Sequence, residues 1–299
     1  MSKLTDEELL EELRKRIKSN NTSLQELKEL NKELQIVNKK LEESESLKSH
    51  FISNITNEII NPFTSIIGLA RHILSVNKED WKTVISMVAL IHSEAFTLDF
   101  QLRNIFVAAK IEAGEISPEI LNVDIKTMVN NLLESFRLEA KKKKLTLDLD
   151  IKIDLLETGD VVYFKTDPEK LKLVLSNLLS NAIKFSFEGQ KINIKIWKVN
   201  DSLNISVQDF GTGITEENQK KIFDRFKRLD SGINSLNRGH GLGLSINKAI
   251  LDLFNGTIDI FSKLGEGSIF TISIPESQEH VSGYSTDGNE FLFEEEEMF

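Results

Sequence analysis

The 299-residue chain contains no cysteine. Disulfides, thiolate metal sites and cysteine nucleophiles are therefore excluded. No uninterrupted apolar run approaches the ~18 residues of a membrane helix, so no transmembrane segment is expected. The opening MSKLTDEELLEEL is too acidic for a secretory signal, and a cytoplasmic location is the expectation. Basic residues are missing from one end. Residues 276–299 hold eight acidic side chains and no Lys or Arg, and they account for most of the net charge of −10. An acidic tail of this kind argues against nucleic acid as the main partner.

Proline and glycine are absent from the first 45 residues, which are rich in Glu, Lys and Leu. This composition predicts a helix. Leu27, Leu30, Leu34, Val37 and Leu41 step by three and four, the seam of a coiled coil. Two further helical seams follow. Ile52, Ile55, Ile59, Pro62, Ile66, Leu69, Ile73 and Val76 form one. After NKED, Trp81, Val84, Val88, Ile91, Ala95, Leu98, Leu102, Ile105 and Ala109 form the other, which ends at Gly114. Two long helices with a short connection lie antiparallel. Each has a single narrow apolar stripe, so two hairpins must pack together to cover it. A homodimeric four-helix bundle is expected.

Within the first hairpin helix, Asn57 lies two positions from both Ile55 and Ile59. At ~100° per residue it faces away from the seam. Pro62 sits inside the same helix, where its ring removes a backbone hydrogen bond.

Beyond residue 120 the periodicity changes to two. Residues 145–153, 191–199, 203–210, 256–262 and 268–275 alternate apolar and polar, as strands with one buried face do. Helices are predicted near 124–142, 167–186 and 242–254. The fold class is α+β: a coiled coil and helical bundle followed by a two-layer α/β sandwich. The expected divisions are 1–45, 46–116, 120–276 and an acidic tail at 277–299.

Three elements of the sandwich point to a ligand. In SNLLSNAIKF, Asn177, Asn181 and Lys184 share one helix face, opposite Leu171, Val174, Leu175, Leu178 and Leu179. Asn is poorly suited to a helix interior. Its carbonyl oxygen suits Mg²⁺, and a Lys ammonium suits phosphate. DFGTGI follows a strand. There Gly211 and Gly213 permit a tight turn, and ionised Asp209 accepts hydrogen bonds only, as an adenine amino group requires. RGHGLGLS opens a helix with Gly239, Gly241 and Gly243, an arrangement suited to anions.

Together these residues resemble the ATP-binding domain of sensor histidine kinases, which is related to those of gyrase, Hsp90 and MutL. The resemblance implies ATP and Mg²⁺ as cofactors. Asn181, with Asn177 one turn before, matches the Mg²⁺-ligating N box. Asp209, Gly211 and Gly213 match the adenine-binding G1 box. Gly239, Gly241, Leu242 and Gly243 match the G2 box, and residues 222–230, with Arg225, resemble the start of the ATP lid. Residues 46–114 resemble the family's dimerisation and phosphoacceptor hairpin, down to KIEAGEI at its end. In that hairpin the residue before the Glu is the phosphorylated histidine. Here Asn57 precedes Glu58.

An amide nitrogen has a delocalised lone pair and cannot attack a phosphoryl group. Autophosphorylation at this position is expected to be absent. Glu58 and Asn61 do fit the family's phosphatase pattern, an acid followed three residues later by Asn. Dephosphorylation of a response regulator is therefore one expectation. A pseudokinase scaffold, a kinase acting in trans on a partner kinase's histidine, and an engineered replacement of a native histidine at Asn57 stand beside it. His50 is the one surrogate acceptor on that helix, and no acid follows it directly. The run Lys141–Lys144 reads as a solvated helix end favoured by the dipole.

Overall fold

A computed structural model describes residues 6–76, 80–152, 163–223, 241–279, 281 and 283–285; the side chains of residues 6–9, 12 and 40–58 lie outside it. Two compact units are present, Met1–Ser53 and Asn54–Phe299. Helix α1 (Asp6–Ser75) has no break near residue 45. Within the first unit, Leu27, Leu30, Leu34 and Val37 are all more than half exposed, because a single helix offers its apolar stripe nothing to pack on.

In the second unit, α1 ends at Ser75 and α2 (Trp81–Ala113) begins behind Asp80. The Asp80 carboxylate accepts from the Thr83 amide at 3.2 Å and from its hydroxyl at 2.7 Å, satisfying an orphan donor of the first turn. Gly114 closes α2 with φ 69°, the left-handed conformation that a side chain disfavours. By length and composition α2 is apolar enough to cross a membrane. Only Glu94 and Asp99 carry charge between Val84 and Gln101, and counting unbroken apolar runs overlooks a stretch with isolated charges.

The sandwich is built from β1 (Leu121–Asp124), α3 (Ile125–Lys142), β2 (Thr146–Lys152), β3 (Tyr163–Thr166), α4 (Pro168–Phe185), β4 (Lys191–Val199), β5 (Ser202–Asp209), α5 (Glu216–Gln219), α6 (Gly243–Leu253), β6 (Thr257–Lys263), β7 (Gly267–Pro275) and β8 (Tyr284–Ser285). Five strands form the main sheet in the order β2-β4-β5-β7-β6. The β2–β4 pair is parallel and the others are antiparallel. The alternation seen in the sequence becomes burial: Ile192, Ile194 and Ile196 of β4 and Leu203, Ile205 and Val207 of β5 face inward. They meet the apolar faces of α3, α4 and α6, whose Phe136, Leu171, Leu178 and Ile250 are almost fully buried.

Sequence periodicity does not reveal β1, β3 and β8, which form a second sheet in the order β3-β1-β8. They are too short to display a period. Asn122 secures β8 by donating from Nδ2 to the carbonyls of Val281 (3.2 Å) and Gly283 (3.1 Å). The acidic residues 286–299 lie outside the described residues.

Helix α2 packs on α3. Phe96 and Phe100 meet Phe136 edge-on, with centroids 5.3 and 6.3 Å away. Lys142 Nζ donates to Ser93 Oγ at 2.6 Å, and Thr97 donates to Glu139 at 3.4 Å. Burial raises the Glu139 pKa above the ordinary carboxylate value, against the lowering pull of Lys142 and Thr97.

Candidate nucleotide site

Helix α4 is the wall on which the sequence motifs converge. Its start is fixed by Asp167, which accepts from the Lys170 amide at 2.9 Å, and by Pro168, whose missing N–H costs nothing in the first turn. Its apolar face lies on the sheet, which leaves the Asn177–Asn181–Lys184 face for the motifs.

The structure divides that face unequally. Asn177 is buried, and its Nδ2 donates to Asn247 Oδ1 at 2.8 Å and to the Gly243 carbonyl at 3.3 Å. Asn247 in turn donates to the Val174 carbonyl at 3.0 Å. Asn177 thus ties α4 to the first turn of α6. Asn181 and Lys184, one and two turns later, are half-buried. The Lys184 ammonium stands 5.0 Å over the Phe185 ring.

Asp209 ends β5 in the interior of the domain. Its Oδ1 is buried and has no hydrogen-bond partner. Burial pushes its pKa up to about 6, opposed by the backbone amides of Ser268 and Gly211 and the Ser268 hydroxyl. An unpaired buried acceptor costs about 1–3 kcal/mol. A ligand amino group donating to Oδ1 would relieve that cost, and adenine carries such a donor.

The turn after Asp209 is stitched to the end of α4. Thr212 N donates to the Phe185 carbonyl at 3.3 Å, and Phe187 N donates to the Phe210 carbonyl at 3.3 Å. A Cβ at Gly211 would lie 1.9 Å from the Phe185 oxygen. At Gly213, where φ is +64°, it would lie 2.0 Å from the Lys263 oxygen. Both glycines are thus required by backbone-on-backbone packing within the protein.

At the third motif, Leu242 is buried and α6 begins at Gly243. A Cβ on Gly243 would approach Asn177 Oδ1 to 3.0 Å. Gly241 has φ 69°. Arg225 and Gly239 lie outside the described residues, as does most of the 222–230 segment. Asn61 is exposed on α1, next to buried Pro62. Asn57 and Glu58 fall within α1, and their side chains lie outside the described residues.

Two site-shaping residues escape the sequence reading. Asn247 is a mid-helix Asn, and the argument applied to Asn177 and Asn181 would have flagged it. Lys143 was hidden in a run of four lysines. Among the described residues no cluster of three His, Cys, Asp or Glu side chains could hold a metal. The donor available on α4 is the Asn181 carboxamide oxygen, a hard ligand of the kind Mg²⁺ accepts beside water and phosphate.

Residues 166–278 match the family described as histidine kinase-, DNA gyrase B- and HSP90-like ATPase. The circadian input-output histidine kinase CikA of Synechococcus elongatus is 29% identical over 235 residues, covering 77% of this chain and 30% of CikA. The sensor-like histidine kinase SenX3 of Mycobacterium tuberculosis is 29% identical over 231 residues, covering 77% of this chain and 54% of SenX3. The sensor protein EvgS of Escherichia coli K12 is 31% identical over 255 residues, covering 84% of this chain and 21% of EvgS. The chain thus spans between a fifth and about half of the length of these relatives. The crystal structure of full-length ShkA in complex with AMPPNP shares the fold, with a TM-score of 0.53 at 21% identity over 78% of this chain and 46% of that one. The motifs gathered on α4 thus fall within residues 166–278, the segment that is similar to the histidine kinase-, DNA gyrase B- and HSP90-like ATPases.

Proposed function

We propose that this chain is a two-component signalling protein that binds Mg–ATP and a response regulator, and that it removes phosphate from the regulator instead of supplying it. The buried, partnerless Oδ1 of Asp209 carries the nucleotide part of this reading. Asp209 receives the adenine amino group. Asn181 offers its carboxamide oxygen to Mg²⁺, and Lys184 offers its ammonium to phosphate. Gly241, Leu242 and Gly243 bring backbone at the start of α6 to the same helix. Mg–ATP held there would have its phosphate charge neutralised by Mg²⁺ and Lys184, with no phosphoryl transfer to Asn57.

The regulator part rests on α1. Asn57 cannot accept the phosphoryl group, because its amide nitrogen is not nucleophilic. Asn61 is exposed one turn later and can orient a water by hydrogen bonding, with Glu58 beside it. Positioning of this kind accelerates hydrolysis without a nucleophile on the protein. The exposed seam of Leu27, Leu30, Leu34 and Val37 supports a homodimeric coiled coil leading into a four-helix bundle.

The test is the decay of a phosphorylated response regulator incubated with the full chain. Decay faster than the regulator alone, slowed at least tenfold by Asn61→Ala, is the expected outcome. An unchanged decay rate would leave a scaffold role.

A further inference from the structure

We propose that Lys143 is a positioning residue of the nucleotide site, acting through the C-terminal end of α4. The last four carbonyls of a helix lack intrahelical partners and carry the negative end of its dipole. At α4 those groups belong to residues 182–185, which include Lys184 and follow Asn181. Ala182 O accepts from the Ser186 amide at 3.0 Å and from the Ser186 hydroxyl at 2.7 Å. Phe185 O accepts from Thr212 N. Lys143 takes the others. Its Nζ donates to Ile183 O at 3.0 Å and Lys184 O at 2.6 Å, with Ser186 O at 3.4 Å. An ammonium has three donors, and all three are used on this one helix end.

The backbone of Lys143 is engaged on the same target. Its carbonyl accepts from Gly189 N at 3.1 Å, in the turn that follows α4. Lys144 then adopts φ 56° so that the chain can turn into β2. The neighbouring lysines behave differently. Lys144 makes a surface pair with Glu188, and Lys142 reaches Ser93 on α2. Of these three lysines, Lys143 is the one that donates to the carbonyls of α4.

The consequence runs through two short links. Lys143 holds the last turn of α4, which carries Lys184 and directly follows Asn181. That turn's Phe185 carbonyl holds Thr212, while Phe187 holds Phe210, so the same clamp sets the loop that follows Asp209. An apolar side chain at 143 leaves three carbonyls without a donor. The final turn then frays and the 210–213 loop loses its anchor, although the sheet core is untouched.

The inference builds on the proposed nucleotide site, and its test separates the two. The full chain carrying Lys143→Met is compared with wild type and with Lys143→Arg. Ile205→Val, a β5 core change remote from the α4 end, serves as a control for general destabilisation. Hydrogen exchange without nucleotide reads the clamp alone. The amides of Thr212 and Phe187 should exchange at least tenfold faster in Lys143→Met, while those of β4 and β5 keep their wild-type rates. Titration with Mg–AMPPNP reads the site. Affinity should fall about tenfold in Lys143→Met, recover in part in Lys143→Arg and stay unchanged in Ile205→Val. Wild-type exchange at Thr212 and Phe187 in Lys143→Met overturns the proposal, as does wild-type affinity in that variant. If wild type itself binds no nucleotide, the site reading fails. The exchange result then still decides whether Lys143 holds the α4 end.

Discussion

The apolar stripes of α1 and α4 share a helical spacing, Leu27–Leu30–Leu34 and Leu171–Val174–Leu178, and end differently. Leu27, Leu30 and Leu34 stand 54–66% exposed, while Leu171, Leu178 and Leu179 are 0–2% exposed. Helical periodicity is present in both. The difference is that α4 has a β-sheet to lie on and α1 has only solvent along the same stripe. One region covers its apolar stripe within a single chain; the other leaves its stripe uncovered there. What a helix contributes thus depends on what covers it, as expected when tertiary packing supplies most helical stability.

The largest expected effect sharpens this contrast directly. Leu178→Ala should destabilise the α/β sandwich domain by about 2–5 kcal/mol, and Phe136→Ala, which also loses its contacts with Phe96 and Phe100, by about 3–5 kcal/mol. Chemical denaturation followed at the domain transition measures both. The second effect concerns Asp209, whose buried Oδ1 is left unsatisfied. Asp209→Asn removes the cost of a buried carboxylate, worth on the order of 1–3 kcal/mol at neutral pH. It should therefore raise domain stability while weakening Mg–AMPPNP binding about tenfold or more.

The same residue makes stability depend on pH. The folded-state pKa of Asp209 lies at about 6, above its ordinary value of 3.8. The folded protein therefore holds more protons than the unfolded chain between those values. Its contribution is least unfavourable at the acid end of that window and declines as pH rises towards about 6. Beyond that it stays constant. Melting temperature measured from pH 4 to 7 should show this slope in wild type, and Asp209→Asn should flatten it. The smallest effect belongs to the exposed seam. Leu30→Ala should change the domain transition by less than about 0.5 kcal/mol, yet shift the sedimentation equilibrium of the full chain towards monomer. A change in the domain transition as large as that of Leu178→Ala would erase the distinction between the two helices.

The sequence made the main sheet legible because five strands alternate over seven or more residues each. It made α4 legible because two Asn residues in a helix interior are unfavourable without a purpose. Which purpose each serves was not legible. Asn177 and Asn181 differ by one turn, and only the position of α6 decides that Asn177 turns inward to Asn247. The glycines were legible as turn residues, but the backbone neighbours that require them come from Phe185 and Lys263, 26 residues before Gly211 and 50 after Gly213. Lys143 was illegible for a related reason: a run of lysines carries no mark of which one meets a helix end. Strands β1, β3 and β8 were missed because two to four residues cannot display a period.

The central claim is a nucleotide site built around Asp209 and α4. Calorimetric titration of the full chain with Mg–AMPPNP tests it most directly. Saturable heat at one site per chain in wild type, abolished in Asp209→Ala with the domain still folded, is the predicted result. No heat from wild type, or equal affinity in Asp209→Ala, would contradict it.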